Sequence, residues 1–142
     1  MKKIITDRSL LALSRILTGF IFLWAFLDKT FGFGISTKAA AAWIRGGSPT
    51  TGFLSHAVKG PFANVFHQLA GMPVVDWLFM LGLLFVGVTL IFNRYVKWGS
   101  LAGIAMLILM YLSMLWPDTN PIIDEHIIYA VVLAYIAMRS ER

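Results

Sequence analysis

Apolar residues fall along this chain in four runs, at 9–33, 74–92, 98–116 and 122–138, with polar breaks between them. Each run approaches the roughly 20 residues that an apolar helix needs to cross a bilayer. The breaks are of unequal kind. Residues 93–97, Asn-Arg-Tyr-Val-Lys, make a short basic turn, and Pro117 closes the third run. The stretch 35–73 is too long to be structureless inside a compact domain, which predicts short helices within it. One is expected over the alanine-rich 36–45, stopping at Gly46-Gly47. A second is expected over 61–70, where Phe62, Val65, Phe66 and Leu69 recur at helical spacing between Pro61 and Gly71. That stripe is expected to bury against the spans or to lie in the headgroup layer. Residues 46–53 read as turns. The pattern predicts an all-α integral membrane protein: a single domain, 1–142, forming a four-transmembrane-helix bundle with a long extracytoplasmic loop that contains short helices. Gly99-x-x-x-Gly103 offers a place for close helix approach. Met106, Met110 and Met114 share a face and read as core packing.

Composition agrees with that solvent. The chain is 58% hydrophobic and 13% charged, about half the charged share of a soluble domain. The absence of cysteine removes disulfides, thiolate catalysis and Cys-ligated metal from the candidate chemistries. The first run resembles a signal peptide in following Lys2 and Lys3. It is nevertheless too long for that role and contains Arg15, which predicts a retained first span. Basic residues are scattered, with no groove of stacking aromatics, so no nucleic-acid partner is expected. Their distribution orients the chain. Lys2, Lys3, Arg8, Arg15, Arg94, Lys97, Arg139 and Arg142 fall on one side. Only Lys29, Lys38, Arg45 and Lys59 fall on the other. By the positive-inside rule both termini are cytoplasmic and 35–73 is outside, in a multi-pass protein of the plasma membrane.

That topology collects the unusual polar residues. Asp28 and Lys29 end the first run, Asp76 and Trp77 begin the second, and Asp124, Glu125, His126 and Tyr129 begin the fourth. All face outward, under a connection that carries His56 and His67. Ionisable groups at this depth are costly unless paired and so point to function, although carboxylates in first helical turns are also favoured by the helix dipole. Arg15 shares a stripe with Gly19, Phe22, Phe26 and Lys29, and reads either as an interfacial anchor or as a functional group facing the bundle. No ligand spacing indicates a metal. A quinone asks for an apolar slot, hydrogen-bond donors and a proton carrier, which Trp24, Trp77, Lys29, His126 and Tyr129 can supply. The sharpest expectation is that Asp76 and His126 head one outward pocket, with Met80, Leu83 and Gly87 below the first and Tyr129, Ala130, Leu133 and Ala137 below the second.

Several segments carry a resemblance. They are Gly47-Ser48-Pro49-Thr50-Thr51-Gly52-Phe53-Leu54, Lys59-Gly60-Pro61-Phe62-Ala63, Pro73-Val74-Val75-Asp76-Trp77-Leu78-Phe79-Met80, and Asn120-Pro121 followed by Asp124-Glu125-His126-Ile127-Ile128-Tyr129-Ala130. Together they resemble the DoxX family, which includes the DoxD-type membrane subunit of thiosulfate:quinone oxidoreductase, and the likeness extends over 15–133. The resemblance implies a four-helix membrane protein that acts as a quinone-linked oxidoreductase subunit. A quinone is then the candidate cofactor, and the lipid bilayer, a redox partner subunit and a homo-oligomer are the candidate partners. The alternative is a non-enzymatic membrane module that binds lipid or a partner protein. No catalytic motif of the family transfers residue by residue.

Overall fold

The computed structural model describes residues 6–140. Lys2, Lys3 and Arg142, which enter the charge asymmetry, lie outside the described residues. The helices are α1 (Asp7–Phe31), α2 (Thr51–His56), α3 (Ala63–His67), α4 (Pro73–Ile91), α5 (Val96–Ser113) and α6 (Glu125–Arg139), with 3₁₀ turns at Ala39–Ala41 and Trp43–Arg45. Among the described residues there is no β-strand. Three helices, α1, α4 and α5, are long and apolar enough to cross a membrane. Their exposed faces are apolar too: only 17% of the most apolar stretch of α1 is buried within the protein, and Leu13, Leu17, Phe20 and Ile21 point outward. Such faces suggest contact with lipid and suit a multi-pass membrane protein.

Each boundary has a local cause. Thr6 and Ser9 close a capping box at the start of α1, satisfying first-turn N–H groups that no carbonyl can reach. Gly32 ends it at φ 69°, in the left-handed region, and a Cβ there would sit 2.7 Å from the Ala39 Cα. Pro73 starts α4, where its missing N–H costs nothing. α6 starts later than the apolar run. The Asp124 backbone is extended, and its Oδ1 accepts the N–H groups of His126 and Ile127. Just before it, Asn120 Oδ1 accepts the N–H groups of Ile122 and Ile123, which holds those two apolar residues out of the helix. The 15 residues of α6 span about 22 Å at helical rise, short of the roughly 30 Å hydrocarbon core.

α1 packs on α4, α4 on α5, α5 on α6 and α6 back on α1. The core between them is Phe22, Met80, Leu83, Val86, Leu90, Leu107, Leu133 and Ile136. In lipid, helix association depends on close packing more than on removing apolar surface from water, and glycines allow it here. Gly87 receives the Leu23 side chain and backbone, and Gly99 lies against Thr89. Met106 reaches over Gly82 and packs against the core, in keeping with a packing role for that residue.

The connection, residues 32–72, departs furthest from expectation. Its alanine-rich part forms 3₁₀ turns in place of a helix, and α2 occupies a stretch expected to be turns. Phe62 is 44% exposed and Val65 60% while Phe66 and Leu69 are half-buried, so the apolar stripe of 61–70 is only partly covered by the protein, and its exposed half suits the headgroup layer. The connection is tied down elsewhere. The Lys59 N–H bonds the Ser113 carbonyl at 3.0 Å, Lys59 pairs with Asp118, and Ala42, Leu54 and Val58 are buried.

Candidate functional site

Because successive long helices run antiparallel, the end of α1 and the starts of α4 and α6 meet at one end of the molecule. Asp28 is 1% exposed. Its Oδ2 accepts the Ser36 N–H at 3.0 Å and the Ser36 hydroxyl at 2.6 Å, while Oδ1 is enclosed without a hydrogen bond. Asp76 Oδ1 accepts the hydroxyls of Ser48 at 2.8 Å and Thr50 at 2.5 Å. Ser48 Oγ in turn accepts the Thr51 N–H and hydroxyl, and Thr51 Oγ1 accepts the Gly71 N–H at 3.0 Å. Both aspartates therefore act as anchors for the connection. Trp77 is exposed apart from an edge-on contact with Trp43 at 4.7 Å.

The start of α6 is differently organised. His126 is 9% exposed, and its Nδ1 lies 2.7 Å from Asp124 Oδ2. An ionised carboxylate only accepts, which assigns the proton of this contact to Nδ1 and leaves Nε2 outside it. Glu125 beside them is exposed, and Tyr129 is half-buried against the core one turn on. Ligand atoms of Asp124, Glu125 and His126 come within 4.8 Å of one another. Asp124 Oδ2 and His126 Nδ1 already satisfy each other, however, and Asp124 Oδ1 caps the helix. Both contacts hold the triplet in place without an ion, and exposed acidic groups often lie this close with none bound. Lys29 is half-buried on α1, with its ammonium 5.9 Å from the centre of the Phe79 ring of α4. Among the described residues it makes no ion pair.

Of the sequence-predicted residues, Asp28, Lys29, Asp76, Trp77, Asp124, Glu125, His126 and Tyr129 share this end. Arg15 does not. It sits at the opposite end of α1 and donates from Nη1 to the carbonyls of Leu90 and Ile91, the last of α4. Asp76 and His126 share no hydrogen bond, and the slot expected beneath them is filled. Met80 and Leu133 are fully buried, Leu83 is 4% exposed, and Leu23 occupies the space that Gly87 leaves. The hydroxyls of Ser36, Ser48 and Thr50 were the missed partners. Their only signal was a Ser/Thr-rich stretch between glycines, which also fits a plain turn. His56 and His67 likewise face backbone, with Nδ1 at 3.2 Å from the Gly52 carbonyl and 2.7 Å from the Leu54 carbonyl.

Compared with known proteins, the chain matches no family model, no curated protein and no solved structure.

Proposed function

We propose that this chain is a DoxX-like integral membrane protein and a quinone-linked oxidoreductase subunit, with its proton-handling group at the start of α6. The observation that carries the reading is the enclosed His126–Asp124 pair, 2.7 Å apart, whose second ring nitrogen stands outside that contact. Reducing a quinone takes two electrons and two protons. In this reading a redox partner subunit would supply both electrons, and His126, protonated again from water between the two transfers, would pass both protons to the quinone oxygens while Asp124 holds its ring in place. Lys29, Tyr129 and the exposed Trp77 supply a charge, a hydroxyl and an aromatic face at the same end of the molecule. Asp28, Asp76 and Arg15 hold the frame. α6 completes a four-helix bundle across the plasma membrane, its missing length made up by local thinning of the bilayer. Arg8, Arg15, Arg94, Lys97 and Arg139 lie at the end opposite Asp76 and Asp124, which supports cytoplasmic termini and an extracytoplasmic connection.

A second reading has its own support. Asp28 and Asp76 are engaged by hydroxyls of the connection, as in a polar lattice that braces a non-enzymatic module binding lipid or a partner protein. Mass spectrometry of small molecules retained by the purified protein separates the two. The oxidoreductase reading expects a bound quinone, and a His126→Gln variant that melts at the same temperature yet retains at least tenfold less of it. A wild-type protein free of quinone, or equal retention by the variant, contradicts it.

A further inference from the structure

At the end of the molecule opposite the His126–Asp124 pair, a cavity of about 260 Å³ opens between α1 and α6. Arg8, Leu11, Ala12 and Arg15 line it from α1, Asn93 from the turn after α4, and Arg139 from the end of α6. Ser140 follows Arg139 in the lining; among the described residues no carboxylate lines it and none of the three arginines makes an ion pair. Arg8 and Arg15 are two helical turns apart on one face, about 10 Å along the axis. Arg15 uses Nη1 on the last carbonyls of α4, which fixes its side chain and leaves its other N–H groups uncommitted. Arg139 is steadied over the Tyr135 ring, 5.5 Å from its centre.

This grouping lies at the margin of a strongly apolar surface. Leu11 and Ala12 lie between the arginines in its lining, and the exposed Leu10, Leu13 and Leu17 lie on the opposite face of α1. Cations held together at the edge of hydrocarbon are costly without an anionic partner, and among the described residues no side chain of the cavity provides one. Guanidinium groups match phosphate oxygens in geometry as well as charge. The lining pairs these cations with the apolar Leu11 and Ala12, a combination that suits a phosphate carrying an apolar group. We infer that this cavity is a binding site for the phosphodiester headgroup of an anionic phospholipid. Clustered basic residues between membrane helices are suited to such headgroups in general. The inference is independent of the proposed redox function, because it concerns the other end of the molecule and none of the same residues except Arg15.

The test is native mass spectrometry of the purified full chain titrated separately with phosphatidylglycerol, phosphatidylcholine and inorganic phosphate. Arg8 and Arg139 are exposed, so Arg8→Gln and Arg139→Gln are expected to fold, and a matching thermal melt verifies this. Arg94→Gln is the control: Arg94 is exposed at the same end but does not line the cavity. The site predicts one tightly retained phosphatidylglycerol, weakened about fivefold by each cavity substitution and unaffected by Arg94→Gln. Phosphatidylcholine and free phosphate should not compete at equal concentration. Equal weakening by Arg94→Gln would show diffuse attraction to charge. Equal retention of phosphatidylcholine, tight capture of inorganic phosphate alone, or no effect of the cavity substitutions would each overturn the assignment.

Discussion

Asp76 illustrates how a residue's place in the chain can be legible while its partners are not. An acidic residue in the first turn of an apolar helix is readable from sequence, and so is its favourable position at the helix dipole. Its actual partners, Ser48 and Thr50, lie 28 and 26 residues earlier in the chain, a distance no local pattern spans. Asp124 was similarly visible as a charge but acts one position outside the helix, as its cap. These bonds have consequences for stability. Hydrogen bonds to a charged group contribute about 1.5–3 kcal/mol, and Thr50 is buried. Asp76→Ala is therefore expected to lower stability in detergent by about 1.5–3 kcal/mol, with Asp76→Asn losing less because its carbonyl oxygen still accepts. Amide exchange across 48–54 should quicken in the alanine variant. Unchanged unfolding and unchanged exchange would mean that Asp76 does not anchor the connection.

At the level of elements, the long helices followed from apolar runs and their caps, because in lipid every backbone group must be satisfied within the helix. The connection was harder to read. Its alanines favour helix only where enough turns can form to offset nucleation, and Ala39–Ala41 and Trp43–Arg45 stop at single 3₁₀ turns. Its Phe62 and Val65 remain exposed while Phe66 and Leu69 are half-buried, so helical spacing of apolar residues identified a face there that the protein covers only in part. The glycine positions were visible in sequence, but what each one contacts was not. Gly87 faces the Leu23 backbone, with N at 2.9 Å and Cα at 3.0 Å from a built Cβ, whereas Gly103 meets only side chains, beginning with Leu133 Cδ1 at 2.7 Å. A backbone cannot step aside without moving α1. Gly87→Ala is expected to destabilise by about 1–3 kcal/mol, the range for overpacking, and Gly103→Ala by less than half as much. Detergent-resistance melts of the two variants check this, and equal melting points would remove the distinction.

The whole molecule has two chemically different ends. One holds Asp28, Lys29, Asp76, the His126–Asp124 pair and the connection that covers them. The other holds Arg8, Arg15, Arg94 and Arg139 and the cavity between α1 and α6. The charge asymmetry behind this division was readable in the sequence. That α6 falls short of a full span was not, because Asn120 and Asp124 hold Ile122 and Ile123 outside the helix through side-chain bonds. Both functional readings depend on the two ends lying on opposite sides of the membrane. The chain has no cysteine, so single cysteines can report it directly at exposed positions, Ser55 on α2 and Arg94 in the turn before α5. A membrane-impermeant thiol reagent applied to intact cells should label Ser55→Cys at once and Arg94→Cys only after the membrane is opened. Labelling of both from outside, or of Arg94→Cys alone, would contradict the account.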